Sequence, residues 1–355
     1  MRILIVKTSS LGDIIHAFPV LRFLHHEFPA VKVDWVVEKK FADLVKAHPL
    51  IENVIEMDTK AWRKKLLNLQ TWKDLFDFRK KLQKNTYDAV IDLQGNTKSA
   101  IPTFLAQCAN KIGYGFKTIQ EWPNMLATHQ RFNPPLYLNV RDENLYVVQH
   151  YFQRYSSVED ETVVLKMDEA QQKLHDQVWA KIKKQHGQKI LVCPGSAWKN
   201  KQLSFEALHM FLQRLHEHLN ASLILAWGTP EEFALVQRLQ EAVKGQTVIL
   251  DKVSLPVLQN IMSKMDHVIA MDSLPLHLAG ISGIPTFSVF GASSAQKYKP
   301  RGDFHRAVQG PCPYKKVFER RCPLLRSCKT GLCIRSLSGE DLFKEFCESG
   351  NFNPK

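Results

Sequence analysis

Residues 1–19 read MRILIVKTSSLGDIIHAFP and decide the fold of the first part of the chain. Four consecutive apolar residues at positions 3–6 are typical of a buried strand. Hydroxyl residues and Gly12 follow, and a helical pattern begins near Asp13. Small residues and a glycine let a backbone turn tightly and approach a ligand closely. We therefore predict a strand, a tight loop that contains Gly12, and a helix.

Asp13 is the single carboxylate of this stretch. Near a helix N-terminus a carboxylate stays ionised, because the backbone N–H groups and the helix dipole favour its charge. An ionised carboxylate in a ligand site can act as a general base. Asp is also a common helix-capping residue with no further role. The spacing alone leaves both interpretations open.

Strand and helix patterns alternate along the rest of the chain, which predicts parallel α/β sheets. The predicted strands are 3–6, 31–37, 53–57 and 88–93 in the first half, and 189–193, 223–227, 247–250, 267–271 and 286–290 in the second half. Thr71 resembles a helix cap, and Ser204 is predicted to cap a helix that ends near Leu219. No elements are predicted between residues 118 and 158.

A chain of 355 residues is long for one hydrophobic core. The polar, acidic stretch SSVEDE at 156–161 separates the two halves, so we predict domains at 1–158 and 159–355. Two doubly wound sheets of this kind bind ligands at the carboxyl ends of their strands, and we expect a cleft between the two domains.

Composition restricts the function classes. No apolar run approaches the roughly 20 residues of a membrane span, and the N-terminus lacks a signal-peptide pattern, so we expect a cytoplasmic protein. The net charge of +13 favours an anionic partner. No RNA-binding or zinc-finger pattern is present, so a phosphate or lipid headgroup ranks above nucleic acid.

Two loops of the second half are candidate phosphate sites. PGSAWKNK at 194–201 offers backbone N–H groups, the Ser196 hydroxyl and the Lys201 cation, and its alternative is a solvated basic loop. MDSLPLH at 271–277 places Asp272 and Ser273 at a helix N-terminus with His277 one turn on. Its alternative is a capped helix with a hydrogen-bonded histidine.

A basic loop and a group of cysteines complete the candidates. KAWRKK at 60–65 suits anionic groups of a substrate or forms a solvated face. Cys108 and Cys193 are expected in the core. The cysteines near the C-terminus lack close CxxC pairs, so we rank free thiols first, a structural metal second and a redox switch third. They are Cys312, Cys322, Cys328, Cys333 and Cys347.

Seven motifs, taken in order, resemble those of the bacterial heptosyltransferases of lipopolysaccharide core synthesis, glycosyltransferase family 9. Within it the sequence is most similar to the heptosyltransferase I subgroup. The motifs are KTSSLGDIIHAFP at 7–19, VDWVVEKKFADL at 33–44, KAWRKK at 60–65, IDLQGNTKSA at 91–100, CPGSAWKNKQ at 193–202, AWGTPEE at 226–232 and MDSLPLHLAG at 271–280.

The resemblance implies a GT-B fold, with two Rossmann-like domains that face each other across a cleft. It implies inverting transfer from ADP-heptose to a Kdo-lipid A acceptor at the inner face of the cytoplasmic membrane, with no metal or other cofactor and no nucleic acid. Asp13 would be the catalytic base. The donor-binding residues would be Ser196, Lys201, Glu231 or Glu232, Asp272, Ser273 and His277, and the acceptor-binding residues would be Ser10, Gly12, Arg63 and Lys64.

Leu274 stands where the family has glycine, so the identity of the donor sugar stays open. The first alternative is a family-9 transferase with another nucleotide sugar or a later core acceptor. The second is a non-catalytic binder of anionic lipid or nucleic acid, based on the net charge. An epimerase of the same fold is a third. The cysteine-rich tail resembles other members of the family more than the heptosyltransferase I subgroup.

Overall fold

The computed structural model describes residues 1–64, 68–158 and 162–348. The chain forms two compact units, Met1–Glu161 and Thr162–Lys355. Lys65 of the basic run and residues 159–161 of the predicted boundary stretch lie outside the described residues. No helix within the described ranges is long and apolar enough to cross a membrane.

The first unit contains a six-stranded parallel sheet in the order β3-β2-β1-β4-β5-β6. Ile3 of the first strand pairs with Val33 on one side and Ala89 on the other, and all three are buried. Burial on both faces explains why the central strands are continuous apolar runs. The strands are β1 Arg2–Val6, β2 Lys32–Glu38, β3 Asn53–Met57, β4 Ala89–Asp92, β5 Lys111–Tyr114 and β6 Gln130–Phe132.

Helices cover both faces of this sheet. They are α1 Leu11–Ile15, α2 Phe18–Glu27, α3 Ala42–Lys46, α4 Thr59–Lys64, α5 Leu69–Leu82, α6 Thr97–Leu105 and α7 Val140–Phe152, with 3-10 turns at Lys39–Phe41 and Trp122–Ala127. α7 packs on α2, whereas α6 packs on α5 and on the 3-10 helix Trp122–Ala127. Right-handed crossovers place α2 and α3 on one face of the sheet, and α5, α6 and this 3-10 helix on the other.

The predicted cap at Thr71 is wrong. α5 begins one turn earlier, after Asn68, whose side-chain oxygen accepts a hydrogen bond from the Gln70 N–H at 2.8 Å. Asn is as good a capping residue as Thr, so the upstream position begins the helix and Thr71 is buried inside its first turn.

The second unit repeats this architecture, with strand order β12-β11-β10-β7-β8-β9. Its strands are β7 Gln188–Cys193, β8 Ala221–Leu225, β9 Thr247–Ile249, β10 His267–Met271, β11 Thr286–Phe290 and β12 His305–Gln309. Its helices are α8 Glu169–Lys183, α9 Phe205–Leu219, α10 Pro230–Ala242, α11 Leu255–Met262, α12 Leu274–Gly280, α13 Ala295–Tyr298, α14 Leu332–Arg335 and α15 Gly339–Glu348, with a 3-10 turn at Lys199–Lys201.

The core of the second unit includes its C-terminal helix. The ring centroid of Phe346 in α15 lies 5.9 Å from the ring centroid of Phe211 in α9 and 5.3 Å from that of Phe287 in β11. The Ser204 side chain accepts a hydrogen bond from the Ala207 N–H at 3.2 Å, which confirms the predicted cap of α9.

Both sheets reverse their strand order at an equivalent place. In the first unit the reversal lies between β1 and β4, and in the second unit between β7 and β10. Open α/β sheets bind ligands outside the carboxyl ends of the strands at such a reversal. The sites of each unit are therefore expected in the loops that follow these four strands.

Candidate functional site

The loop after β1 is held by the loop after β4. Oε1 of Gln94 accepts hydrogen bonds from the backbone N–H groups of Thr8 and Ser9, both at 3.1 Å. Oδ1 of Asp92 in turn accepts from the N–H groups of Gln94 and Gly95. A chain of hydrogen bonds thus fixes the backbone that leads to α1 at the strand-order reversal.

The Asp13 carboxylate lies at the start of α1, partly exposed. Its Oδ2 accepts hydrogen bonds from the Ser10 N–H at 3.0 Å and from the Ser10 hydroxyl at 2.8 Å. No hydrogen bond reaches Oδ1 from the described residues. One oxygen therefore orients the side chain, as a helix cap would, while the other is free to accept a proton.

Gly12 does not lie in the turn, which corrects the prediction of a tight loop around it. It is the second residue of α1, and its carbonyl accepts a hydrogen bond from the His16 N–H at 3.0 Å. The connection from β1 to α1 is made by residues 7–10, with a bend at Ser9, before the glycine.

Lys98 is a site residue that the sequence analysis did not single out. Its Nζ lies 3.1 Å from Oε1 of Glu38 and 3.5 Å from Oγ of Ser9. It follows β4 in the first turn of α6, at the same sheet edge as Asp13. The sequence signal for Lys98 was its position just after β4, a strand that lies at the strand-order reversal.

A surface pocket of about 600 Å³ opens in the first unit beside Lys98. The predicted acceptor residue Arg63 lines it, whereas Lys64 does not. Both lie at the end of α4 and are exposed, so residues 60–64 of the basic run are helical rather than a loop. The pocket is lined by Thr59, Trp62, Arg63, Leu75, Asn96, Thr97, Lys98, Ile101 and Glu121.

In the second unit, the two candidate loops meet through an ion pair. Nζ of Lys201 lies 2.6 Å from Oδ2 of Asp272, and both side chains are buried. Lys201 is therefore not part of a solvated basic loop. Burial by itself would raise the pKa of the Asp272 carboxyl, but the charges of Lys201 and the nearby His277 outweigh it and hold this pKa below its ordinary value.

Glu232, rather than Glu231, reaches the loop after β7. Its Oε2 accepts a hydrogen bond from the Gly228 N–H at 2.7 Å and completes a capping box with Thr229 at the start of α10. A Cβ placed on Gly195 would lie 2.0 Å from its Oε1. Glu231 is exposed at the helix start, where its own backbone N–H and the Thr229 hydroxyl lower its pKa. The spacing Thr229-x-x-Glu232 is that of a capping box, and this sequence signal distinguishes Glu232 from Glu231.

Ser196, Ser273 and His277 lie in the two loops and the helix start that the sequence assigns to them. Ser196 is buried in the loop after β7, where its carbonyl accepts a hydrogen bond from the Gln202 side chain at 2.6 Å. Ser273 precedes α12, and His277 is buried on that helix. Leu274 and Pro275 form the first turn of α12.

The cysteine-rich tail packs on the loop after β7 and on the loop after β11. The side-chain amide of Asn200 donates to the Leu325 carbonyl at 2.6 Å, and the Cys322 N–H donates to the Ala292 carbonyl at 2.9 Å. All seven cysteines are free thiols. Cys193 is buried, whereas Cys108 is only partly buried. The described residues bring no three His, Cys, Asp or Glu side chains into an arrangement that could hold a metal ion.

Comparison with known proteins gives a consistent result. Lipopolysaccharide heptosyltransferase 1 of Campylobacter coli is 27% identical over 349 residues, which cover 97% of each chain. The protein of the same name from Escherichia coli K12 is 27% identical over 82% of this chain and 88% of its own.

The solved structures confirm the predicted α/β, GT-B fold class. The structure described as E. coli heptosyltransferase WaaC with ADP matches with a TM-score of 0.79 at 23% identity, over 99% of this chain and 100% of its own. The model of glycosyltransferase family 9 (heptosyltransferase) matches residues 75–327. The chain therefore belongs to glycosyltransferase family 9, the heptosyltransferases.

Proposed function

We propose that this enzyme transfers heptose from ADP-heptose to the Kdo-lipid A inner core of lipopolysaccharide, with inversion at the anomeric carbon and Asp13 as general base. The donor is inferred from the heptosyltransferase family and from relatives named lipopolysaccharide heptosyltransferase 1. The observation that supports the base is the geometry of Asp13, with one oxygen held by Ser10 and the other available.

The transfer is a single displacement, in which Oδ1 of Asp13 removes the proton from the acceptor hydroxyl as that oxygen attacks the anomeric carbon. The acceptor's anionic groups bind in the pocket that Arg63 and Lys98 line. Ser10 and Gly12 form the backbone at the start of α1, next to Asp13. We assign the first unit to the acceptor on this basis.

In the same displacement, the bond between the anomeric carbon and the diphosphate oxygen breaks, and ADP leaves with the negative charge. An ammonium group has three N–H donors. Asp272 engages Lys201 and fixes the position of its ammonium, which keeps donors for the diphosphate. Fixed positive charge of this kind stabilises a leaving group without reorganisation. We assign Ser196, Glu232, Ser273 and His277 to the surroundings of the same nucleotide sugar.

Replacement of Asp13 tests the proposal. Asp13→Asn keeps the size of the side chain and removes the basic oxygen, so turnover is expected to fall by about 10²–10⁴-fold while ADP-heptose still raises the melting temperature. Transfer by the variant at the wild-type rate would exclude Asp13 as the base. Product analysis with ADP-heptose and Kdo-lipid A identifies the donor and acceptor.

Leu274 is the reason to compare donors. Leu274 is the first residue of α12, directly after Ser273. It therefore lies at the sheet edge to which we assign the nucleotide sugar. Melting temperatures with ADP-heptose and with other nucleotide sugars at one concentration rank the donors. A larger shift in melting temperature with another nucleotide sugar would identify that sugar, rather than ADP-heptose, as the donor. The proposed role of Asp13 would be unchanged.

A further inference from the structure

Large apolar side chains are exposed across one layer of the first unit. Among the described residues, seven of them lie on α5, α6 and the 3-10 helix Trp122–Ala127, and their exposed fractions range from 46% to 87%. We call them the apolar patch, and they are Leu69, Trp72, Phe76, Ile101, Phe104, Trp122 and Leu126. By contrast, the described helices α1, α2, α3 and α7 expose no large apolar side chain.

The fold makes this patch one surface. Leu69, Trp72 and Phe76 follow i, i+3, i+7 spacing and share one face of α5, while Phe78 and Leu82 on its other face are buried. α6 packs directly on α5 and on the 3-10 helix. All three elements cover the same face of the sheet, so their outward sides point the same way. An extended exposed apolar surface on a globular protein marks an interaction site.

The surroundings of the patch are strongly basic. Residues 59–84 contain nine Lys or Arg and two Asp, a surplus of seven positive charges in a chain of net +13. Within the described part of this segment, none of the Lys or Arg side chains forms an ion pair with a carboxylate. Arg79, Lys80, Lys81 and Lys84 line a surface depression with Phe76 of the patch.

Segments that lie in the interface of an anionic bilayer typically combine aromatic and aliphatic side chains with surrounding Lys and Arg. A protein partner could use the apolar side chains, but it would also need a matching acidic surface for the seven surplus charges. An anionic lipid surface supplies both requirements at once.

We propose that the apolar patch and its cations dock this enzyme onto an anionic membrane surface. The proposal rests on the proposed function, because it explains how the enzyme meets a lipid-linked acceptor. Ile101 belongs to the patch and also lines the 600 Å³ pocket, and Nζ of Lys98 in that pocket lies 3.5 Å from the Ser9 hydroxyl, in the connection that leads to Asp13. An acceptor anchored in the bilayer at the patch would therefore place its sugar in the pocket.

Flotation with lipid vesicles tests the surface directly. We expect the wild-type enzyme to float with vesicles that contain phosphatidylglycerol and to bind neutral phosphatidylcholine vesicles at least tenfold more weakly. Trp72→Ser with Phe76→Ser is expected to reduce binding by roughly tenfold or more, and so is Lys80→Ala with Lys81→Ala. High salt should weaken the wild type and have less effect on the charge variant.

A matched control removes exposed side chains outside the patch. Tyr155→Ser with Val317→Ser deletes two such side chains and should leave vesicle binding unchanged. Because all these positions are exposed, each variant is expected to keep the wild-type melting temperature. Equal loss of binding in the control, or no loss in either patch variant, would overturn the proposal.

Activity with two acceptors separates this proposal from the proposed function. The Trp72→Ser, Phe76→Ser variant should transfer sugar at the wild-type rate to a Kdo-bearing acceptor without acyl chains, and more slowly to an acceptor embedded in vesicles. Failure of the wild type with both acceptors would contradict the proposed function and leave the flotation result valid. A wild-type dimer that the patch variant converts to monomers, without vesicle binding, would assign the patch to a second copy of the chain instead.

Discussion

Nζ of Lys201 and Oδ2 of Asp272 lie 2.6 Å apart in the interior of the second unit, although 71 positions separate them in sequence. The pair joins the loop after β7 to the loop after β10, at the point where the strand order of the sheet reverses. A buried charge that loses its partner is costly, so this contact has consequences for folding as well as for binding.

Removal of one partner of the pair should destabilise the protein. Asp272→Ala leaves the Lys201 ammonium buried without its carboxylate, and we expect the free energy of unfolding to fall by about 3–5 kcal/mol. The double variant Lys201→Ala, Asp272→Ala should lose less than the sum of the single variants, because neither charge remains. Urea denaturation of all four proteins measures the difference, and strict additivity would show that the two residues do not interact.

The Lys201 ammonium should also contribute to donor affinity. Lys201→Ala removes the cation proposed to face the diphosphate, and we expect ADP to raise the melting temperature of this variant much less than that of wild type. Lys184→Ala, which removes an exposed lysine at the end of α8, serves as the control. An unchanged ADP shift in Lys201→Ala would remove this residue from the phosphate site.

Gly195 is required by the position of Glu232. A methyl group on residue 195 would lie 2.0 Å from Oε1 of Glu232, so Gly195→Ala must displace a side chain that caps α10. We expect a loss of about 1–3 kcal/mol in the free energy of unfolding. In a Glu232→Ala background, which lacks the overlapping side chain, Gly195→Ala should cost little further stability, and an undiminished loss there would contradict the steric explanation.

His267 predicts a dependence of stability on pH. Burial lowers the pKa of this imidazole to about 4, whereas an unfolded histidine titrates near 6.5. The unfolded state therefore binds a proton that the folded state excludes, and stability is complete above about pH 6.5 and is lost as the pH falls toward 4. The loss amounts to about 3 kcal/mol. His267→Leu should flatten the curve of unfolding free energy over this window, and an unchanged slope would exclude His267 as its cause.

Asp34 should stabilise the first unit without affecting turnover. Its carboxylate accepts hydrogen bonds from Arg2, Asn53, Asn85 and Tyr87 at 2.8–3.1 Å. These contacts lie near the amino ends of β1 and β2, at the opposite end of the sheet from Asp13. Asp34→Ala should cost about 1–3 kcal/mol of unfolding free energy, since it leaves the buried Tyr87 hydroxyl and three part-buried donors without this acceptor.

The matched variant Tyr87→Phe removes one hydrogen bond of this network and should cost only about 1 kcal/mol. At a temperature where the Asp34→Ala variant remains folded, KM and kcat should equal those of the wild type. A change in either constant would indicate that the network also influences the site.

The strands of both sheets were predictable because each central strand is a continuous apolar run. Strands 53–57, 267–271 and 286–290 agree with the structure at both ends. β5, β6 and β12 were missed: β5 and β6 are short, and β6 and β12 are edge strands with several exposed or partly exposed polar residues. Edge strands of this kind carry little hydrophobic periodicity.

The sequence predicted which loops form the candidate site, but it did not predict the contacts between their side chains. Loops that follow parallel strands meet at one sheet edge, and this geometry brought 194–201 and 271–277 together. The burial of Lys201 depends on a carboxylate 71 residues away, which no local pattern reveals. The apolar patch had a local indication in the i, i+3, i+7 spacing of Leu69, Trp72 and Phe76, but exposure cannot be distinguished from burial by spacing alone.

The position of Phe346 in the core also determines when the second unit can complete its folding during synthesis. The ribosome translates α15 after all twelve strands, yet Phe346 fills the space between Phe211 and Phe287. The first unit has emerged long before and can fold while translation continues. A nascent chain interrupted before residue 339 would therefore carry a folded first unit and a second unit with an open core, a species that chaperones and proteases recognise by its exposed apolar surface.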